Sequence, residues 1–266
     1  MPVIYKFGKG GILLGEERRE YILNLIGKTG SVTAVEIAKT LDISETTIRR
    51  DLDKLARKTL VRRTHGGAMS TITVGQEMKF DVQKEKFIKE KKKIALAASM
   101  LIEKNDVIFI EAGTTGLQTA LNITNKKNLT IITNSCDIAA VLSKTNPGYT
   151  IIVSGGILKV DTHSLIGPLA DSTIKKINAD KAFIGITGMD LKKGITAANQ
   201  IEAQTKKAVI DSAKKVIALC DHSKLGHVST NFVAPLEKID VLITDSEADQ
   251  KLLRKIKELG VEVIVK

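Results

Sequence analysis

Two groups of residues in this chain have the types and spacing to bind anions. The first is Gly113-Thr114-Thr115-Gly116, which follows an aliphatic run and opens a helical stretch. Main-chain N–H groups and two hydroxyls at the positive end of a helix make a receptor for a phosphate or carboxylate. Such a turn by itself is more often a plain turn. Four further strand ends carry similar residues, however: Asn134-Ser135, Ser154-Gly155-Gly156, Thr187-Gly188-Met189-Asp190 and Asp221-His222-Ser223-Lys224. Open α/β sheets bind ligands at the carboxyl ends of their strands. Five such exits on one edge predict a hollow lined by glycine, small hydroxyls, an amide and a lysine, suited to a phosphorylated small molecule.

The second group is cationic. Ile48, Leu52 and Leu55 fall at i, i+4 and i+7, one helical stripe. At 100° per residue Thr46, Arg50, Asp53 and Arg57 turn away from it, flanked by Arg49 and Lys54. Ahead of them, Thr33 and Glu36 have the spacing of a capping box. The short helix it opens is interrupted by Leu41-Asp42-Ile43, after which Ser44 offers a new N-cap and Glu45 an anion in the first turn. A short helix, a tight turn and a longer helix with a cationic outer face form a helix-turn-helix, whose second helix reads base edges. Downstream, Arg62 and Arg63 run through Thr64 and His65 into Gly66-Gly67, a basic hairpin able to follow phosphates. The expected DNA-facing set is Thr33, Ser44, Thr46, Thr47, Arg49, Arg50, Lys54, Arg62, Arg63 and His65. The alternative for each part is a solvated amphipathic helix.

The elements that must position these groups follow from pattern. Tyr21, Ile22, Leu25 and Ile26 mark a helix behind the pair. Buried strands are predicted at 107–110, 129–133, 149–153, 182–186, 216–220, 241–244 and 261–265. Amphipathic helices are predicted at 89–103, 117–123, 137–143, 170–177, 202–213 and 248–259. That alternation predicts an α/β body with a mostly parallel sheet covered on both faces. The fold expected is thus an N-terminal winged helix-turn-helix followed by a larger α/β sensor domain. Its parts are a flexible lead-in at 1–15, a DNA-binding domain at 16–70, a linker at 71–88 and a sensor at 89–266. Lys91-Lys92-Lys93 reads as a solvated helix face.

Charge is distributed accordingly. Residues 1–70 carry 13 Lys and Arg against 8 Asp and Glu, residues 71–104 carry 8 against 5, and the rest 20 against 17. The positive density sits in the first part and the join, as expected of a nucleic-acid module on a near-neutral body. Cys136 and Cys220 are isolated thiols, and His65, His163, His222 and His227 show no metal spacing, so no metal or cofactor is expected. With no signal peptide and no apolar run near the roughly 20 residues of a membrane span, a reducing cytoplasm is expected.

Two strings of the N-terminal part, Thr46-Thr47-Ile48-Arg49-Arg50-Asp51-Leu52 and Arg62-Arg63-Thr64-His65-Gly66-Gly67-Ala68, with Glu17-Arg18-Arg19 before them, closely resemble the DNA-binding domain of the DeoR family of bacterial sugar-metabolism regulators. The later strings Glu111-Ala-Gly-Thr-Thr115, Thr133-Asn-Ser135, Ser154-Gly-Gly156, Lys193-Gly-Ile-Thr196, Glu202-Ala-Gln-Thr-Lys206 and Asp221-His-Ser-Lys224 resemble that family's sensor domain, which is related to ribose-5-phosphate isomerase. The resemblance covers nearly everything beyond Gly15. It implies a phosphosugar effector, with Gly113, Thr114 and Thr115 around the phosphate and Lys224 and Lys206 adding charge. Asn134, Thr196 and Glu202 would meet sugar hydroxyls, and Ser135, Gly155 and Gly156 complete the expected effector set. The family commonly has Asp where Glu111 stands.

Together these readings predict a repressor that binds operator DNA as a homodimer or homotetramer under the control of a phosphorylated sugar or sugar alcohol. A sugar-phosphate isomerase carrying a DNA-binding domain is the rival. Lys193 and Glu202 are spaced like that enzyme's lysine and glutamate, but Thr187 replaces the first carboxylate of its Asp-Gly-Ala-Asp element. A third reading makes the N-terminal domain a protein-interaction module, against which its cationic face argues.

Overall fold

A computed structural model describes residues 15–29, 31–57, 61–70, 80–123, 126–145 and 148–266. The lead-in expected at 1–15 therefore lies outside the described residues except for Gly15, as does 71–79 of the expected linker. The chain divides into two units, Met1–Thr73 and Val74–Lys266.

In the first unit, α1 (Gly15–Thr29), β1 (Ser31–Thr33), α2 (Ala34–Leu41), α3 (Glu45–Arg57), β2 (Val61–Arg63) and β3 (Gly67–Ser70) follow in order. The capping box forms: Glu36 N–H donates to Thr33 Oγ1 at 3.2 Å, and Thr33 N–H donates to Glu36 Oε2 at 3.3 Å. Asp42, at φ 53, ends α2 in the left-handed region. Ser44 Oγ then accepts from Thr47 N–H at 3.3 Å and starts α3. The predicted stripe is the buried one, Ile48, Leu52 and Leu55, and it shares its core with Ile22, Ile26 and Ile37. Asp51 is buried too, where it takes Arg18 Nε at 2.5 Å and Arg19 Nη1 at 3.2 Å. β1 was not expected. It pairs antiparallel with β3, which pairs with β2. A Cβ on Gly67 would lie 1.9 Å from the Val32 carbonyl, so only glycine lets these strands meet.

The second unit opens with α4 (Phe80–Glu85), inside the stretch read as linker, and α5 (Ile88–Met100). Next come β4 (Val107–Ile110), α6 (Thr114–Leu121), β5 (Thr130–Thr133), α7 (Cys136–Thr145) and β6 (Thr150–Val153). A hairpin of β7 (Ile157–Lys159) and β8 (Ser164–Ile166) leads to α8 (Pro168–Ile174) and β9 (Ala179–Gly185). β10 (Gly188–Asp190), β11 (Gly194–Ala197), α9 (Gln200–Asp211), β12 (Ala213–Leu219) and β13 (Asn231–Ala234) follow, then β14 (Val241–Thr244), α10 (Gln250–Glu258) and β15 (Glu262–Val265).

All seven predicted strands form one sheet in the order β15-β14-β12-β9-β4-β5-β6, and every pairing is parallel. Alternate residues enter opposite cores, as the two-residue period of a strand requires. Ile108, Ile110, Phe183, Ile217 and Leu219 pack under α5, α6 and α7. Phe109, Ala182, Ile184, Val216 and Ala218 pack under α8, α9 and α10. The chain leaves β4 toward β5 and β6, then returns on the other side to β9 and β12. The carboxyl ends of β4 and β9 therefore flank a switch point, the crevice where such sheets bind ligands. The hairpin β7–β8 and the antiparallel sheet β10-β11-β13 were not expected.

Candidate functional site

A cavity enclosing about 640 Å³ of empty space, part of it open to solvent, lies at that switch point. Three of the five glycine- and hydroxyl-bearing exits line it: Ala112 to Thr115 after β4, Gly185 to Thr187 after β9, and Asp221 and Lys224 after β12. Gly113 stands at the start of α6 with φ 150 and ψ 162, a backbone that side chains disfavour, and no side chain caps the helix. The first-turn N–H groups of α6 have no carbonyl partner within the helix. Thr114 and Thr115 are buried, and neither hydroxyl bonds another described residue.

The lysines differ in their freedom. Lys206 lines the cavity, yet its Nζ is held by Glu111 Oε2 and donates to the Gly185 carbonyl at 2.7 Å. Glu111 Oε2 also accepts Gly185 N–H at 3.0 Å, so the pair stitches the exits of β4 and β9 together. The charge expected of Lys206 is thus already matched by a carboxylate. Glu202 also lines the cavity and is paired with Lys159 at 2.8 Å. Lys224 is half-buried and forms no ion pair among the described residues.

Lys91 corrects the reading of the lysine run as a solvated face. It is 4% exposed, lines the cavity, and donates through Nζ to the Gln83 carbonyl. Burial lowers its pKa to about 8, against the opposing pull of Asp221. No carboxylate pairs with it among the described residues. A signal for this was available. Lys91, Ile94, Ala95, Ala98 and Ile102 follow helical spacing, which places Lys91 on the apolar stripe and Lys92 and Lys93 off it. Phe80, Gln83, Thr162, Ser164 and Ile186 complete the walls together with Thr187 and Leu219. Of these, only Thr187 stood in an expected exit.

Five expected effector residues do not line the cavity. Asn134 Oδ1 accepts Ala112 N–H at 2.7 Å and its Nδ2 donates to the Leu165 carbonyl, so it braces the loop from behind. Ser135 is buried and caps α7 through Ile138 N–H at 3.3 Å. Gly155 and Gly156 form the turn after β6, where a Cβ on Gly156 would lie 2.7 Å from the Ile166 carbonyl. Thr196 Oγ1 donates to the Gly188 carbonyl and accepts Ser229 N–H at 2.8 Å, tying β11 to β10. The isomerase pair does not assemble either. Lys193 is exposed in the turn before β11, where Asp190 accepts its N–H at 2.9 Å, and it does not line the cavity.

On the first unit, Thr46, Arg50 and Lys54 are exposed on α3, and no ion pair holds either cation among the described residues. Thr33 and Ser44 are exposed at helix starts, Thr47 is half-buried, and Arg62 and His65 are exposed on the hairpin. Arg49 is paired with Glu45 along the helix at 2.5 Å. Arg63 is more committed still. It meets Asp53 at 2.9 Å and donates to the Gly67 carbonyl, so it fastens the hairpin to α3.

Residues 18–73 match the DeoR-like helix-turn-helix domain, and residues 86–246 match the DeoR C-terminal sensor domain. The chain belongs to the DeoR family. Among similar members, the HTH-type transcriptional repressor GlcR of Bacillus subtilis is 35% identical over 250 residues, 94% of this chain and 96% of that protein. The regulator GolR of Listeria innocua is 32% identical over 247 residues, 93% and 97% of the two chains. GlpR of Haloferax volcanii is 32% identical over 252 residues, 95% and 98%. This DeoR-family chain is accordingly a DNA-binding transcriptional regulator and not an enzyme. Ribose 5-phosphate isomerase of Methanocaldococcus jannaschii matches 51% of the chain at 17% identity and TM-score 0.36, too loose a superposition to transfer its chemistry. Among the described residues no helix is long and apolar enough to cross a membrane, and no cluster of His, Cys, Asp and Glu could hold a metal.

Proposed function

We propose that this regulator represses a sugar-utilisation operon in the cytoplasm and that a phosphorylated sugar or sugar alcohol, bound in the cavity, controls its operator affinity. The observation that carries this reading is the opening of α6 into the cavity beside two lysines, Lys91 and Lys224; among the described residues its threonine hydroxyls make no hydrogen bond and the two ammonium groups no ion pair. Gly113, Thr114 and Thr115 would hold the phosphate, and both lysines would neutralise it. Glu202, already paired with Lys159, would present its remaining acceptor to sugar hydroxyls. Residues 16–70 would hold the DNA-binding function, 71–88 the connection and 89–266 the sensing function.

On the DNA side, Arg50, Thr46 and Lys54 would reach the major groove and Arg62 and His65 the flanking phosphates. Operators for such factors are commonly symmetric, so a homodimer or homotetramer is proposed. The exposed apolar residues Ile157, Leu158, Val160, Leu169 and Ile201 support self-association.

The test is the double substitution Thr114→Val with Lys224→Ala. A lost charge-assisted hydrogen bond costs about 1.5–3 kcal/mol, so affinity for the effector should fall by a hundredfold or more while operator binding persists. A panel of phosphosugars screened by thermal stabilisation identifies the effector, since a ligand of the native state raises the melting temperature. If the double variant leaves the operator at the wild-type effector concentration, the effector site is elsewhere.

A further inference from the structure

The first described element of the sensor unit, α4, is also a wall of the cavity, through Phe80 and Gln83. Six residues make less than two turns, too few for a helix to persist without tertiary contacts. Phe80 is buried and belongs to the core under α5, α6 and α7, and the polar contacts are identifiable. Phe80 stacks on His163 with ring centroids 4.9 Å apart, and its N–H donates to the Asp161 carbonyl at 2.7 Å. The Gln83 carbonyl accepts the Lys91 ammonium. Beyond the helix, Phe87 and His222 form a T-shaped pair with ring centroids 4.6 Å apart, and Phe87 stands at φ 54, a left-handed bend that a non-glycine residue keeps only under restraint. Each histidine is held by an aspartate, His163 by Asp137 at 2.8 Å and His222 by Asp245 at 3.0 Å.

One of these contacts depends on what the cavity contains. A buried ammonium without a carboxylate partner is poorly solvated, and movement of α4 away from it would admit water. An anion in the cavity removes that incentive. The ammonium has three donors; one can stay on the Gln83 carbonyl while the other two take anion oxygens. We infer that α4 is a ligand-operated latch: an anion in the cavity and the docked α4 stabilise each other through Lys91, and an empty cavity releases α4. This rests on the cavity being the anion receptor proposed above. Because α4 is the element from which the chain leads back to the DNA-binding unit, the latch would carry occupancy to the segment joining the two.

Hydrogen exchange of the full-length protein, with inorganic phosphate as the probe, tests this. Phosphate should raise the melting temperature of the wild type, and should slow exchange across residues 80–87 severalfold. Phe80→Ala removes a stacking contact and its share of core packing, and no anion-binding group. It should speed exchange across the same residues and weaken phosphate binding, by at most the factor by which phosphate suppresses opening in the wild type, because the coupling is reciprocal. Unchanged exchange in the β4 and β5 amides would show that the body remains folded. Phosphate stabilisation without any slowing at 80–87, or an unchanged phosphate affinity in Phe80→Ala despite faster exchange, would overturn the latch alone. Stabilisation that survives in Thr114→Val with Lys224→Ala, or is absent from the wild type, would overturn the receptor and the latch together.

Discussion

Replacing Lys91 with methionine should make the ligand-free protein more stable. The ammonium is buried, bonded to one main-chain carbonyl, and its pKa falls from 10.5 to about 8. One unit corresponds to about 1.4 kcal/mol, so keeping this group charged in the folded state costs roughly 3 kcal/mol at neutral pH. The groups around it are Asp221 and Glu90, which favour the charge, and Lys224 and Lys86, which oppose it. The unfolded chain holds the proton more tightly, so stability rises with pH between about 8 and 10.5. The cost is complete below pH 8 and gone above 10.5. Methionine has similar length without the charge and gives up one hydrogen bond, worth about 1.5–3 kcal/mol while the lysine is charged and about 1 kcal/mol once it is neutral. The net gain is therefore about 1 kcal/mol at pH 7 and near zero at pH 10. For a unit the size of residues 74–266, about 1 kcal/mol raises the melting temperature by roughly 2–4 °C. Calorimetry of both full-length proteins without phosphate, at pH 7 and pH 10, measures it. A loss of stability at pH 7, or the same gain at both pH values, would refute the assignment of an unmatched buried cation.

Three other substitutions probe separate parts of the argument. Arg50→Ala should weaken operator binding by about 1–3 kcal/mol if the side chain reads a base edge; an unchanged mobility shift rejects that role. Asp51→Asn leaves Arg18 and Arg19 without their buried carboxylate and should destabilise the DNA-binding unit by about 3 kcal/mol, seen as an earlier unfolding transition; no shift would mean the arginines are solvated. Glu111→Gln should cost about 3–5 kcal/mol in urea unfolding because it strands Lys206, whereas adding Lys206→Met should recover most of the loss. Additive losses would show that the two residues act independently.

The sheet was legible because each of its strands is a short aliphatic run between amphipathic helices, and burial on both faces demands that composition. Ile131 and Ile132, adjacent in β5, enter opposite cores and leave no room for a polar neighbour. The stripe Ile48, Leu52 and Leu55 was legible for the same reason at helical spacing. The antiparallel strands of the sensor unit were not. β7, β8 and β10 have three residues each, too few to establish a period, and β10 is Gly-Met-Asp. Site residues were found where glycine and threonine mark a strand exit. They were missed where burial depends on a distant partner: Lys206 and Glu111 are 95 residues apart, and nothing local says that one neutralises the other.

That neutralisation bears on what the cavity can hold. Were Lys206 free, three cations would face the cavity, more than the phosphate of the proposed effector would need. With Lys206 spent on Glu111 and Glu202 engaged by Lys159, the unpaired charges of the wall reduce to Lys91 and Lys224 against Asp221. Asp221 is itself occupied, since its Oδ1 accepts Ser223 N–H at 3.1 Å and Ser223 Oγ at 2.5 Å. Two cations and a helix N-terminus, set against the single charge of Asp221, suit one phosphate group. A neutral sugar would leave Lys91 as poorly solvated as the empty cavity does. The same accounting gives Glu111 its purpose: its carboxylate reaches both Lys206 and Gly185 N–H across the crevice. An aspartate at this position, shorter by one methylene, could keep both contacts only if β4 and β9 carried their exits closer together. The residue at 111 therefore bears on the spacing of the β4 and β9 exits, and under the proposed function it would shape the room for the effector beyond its phosphate.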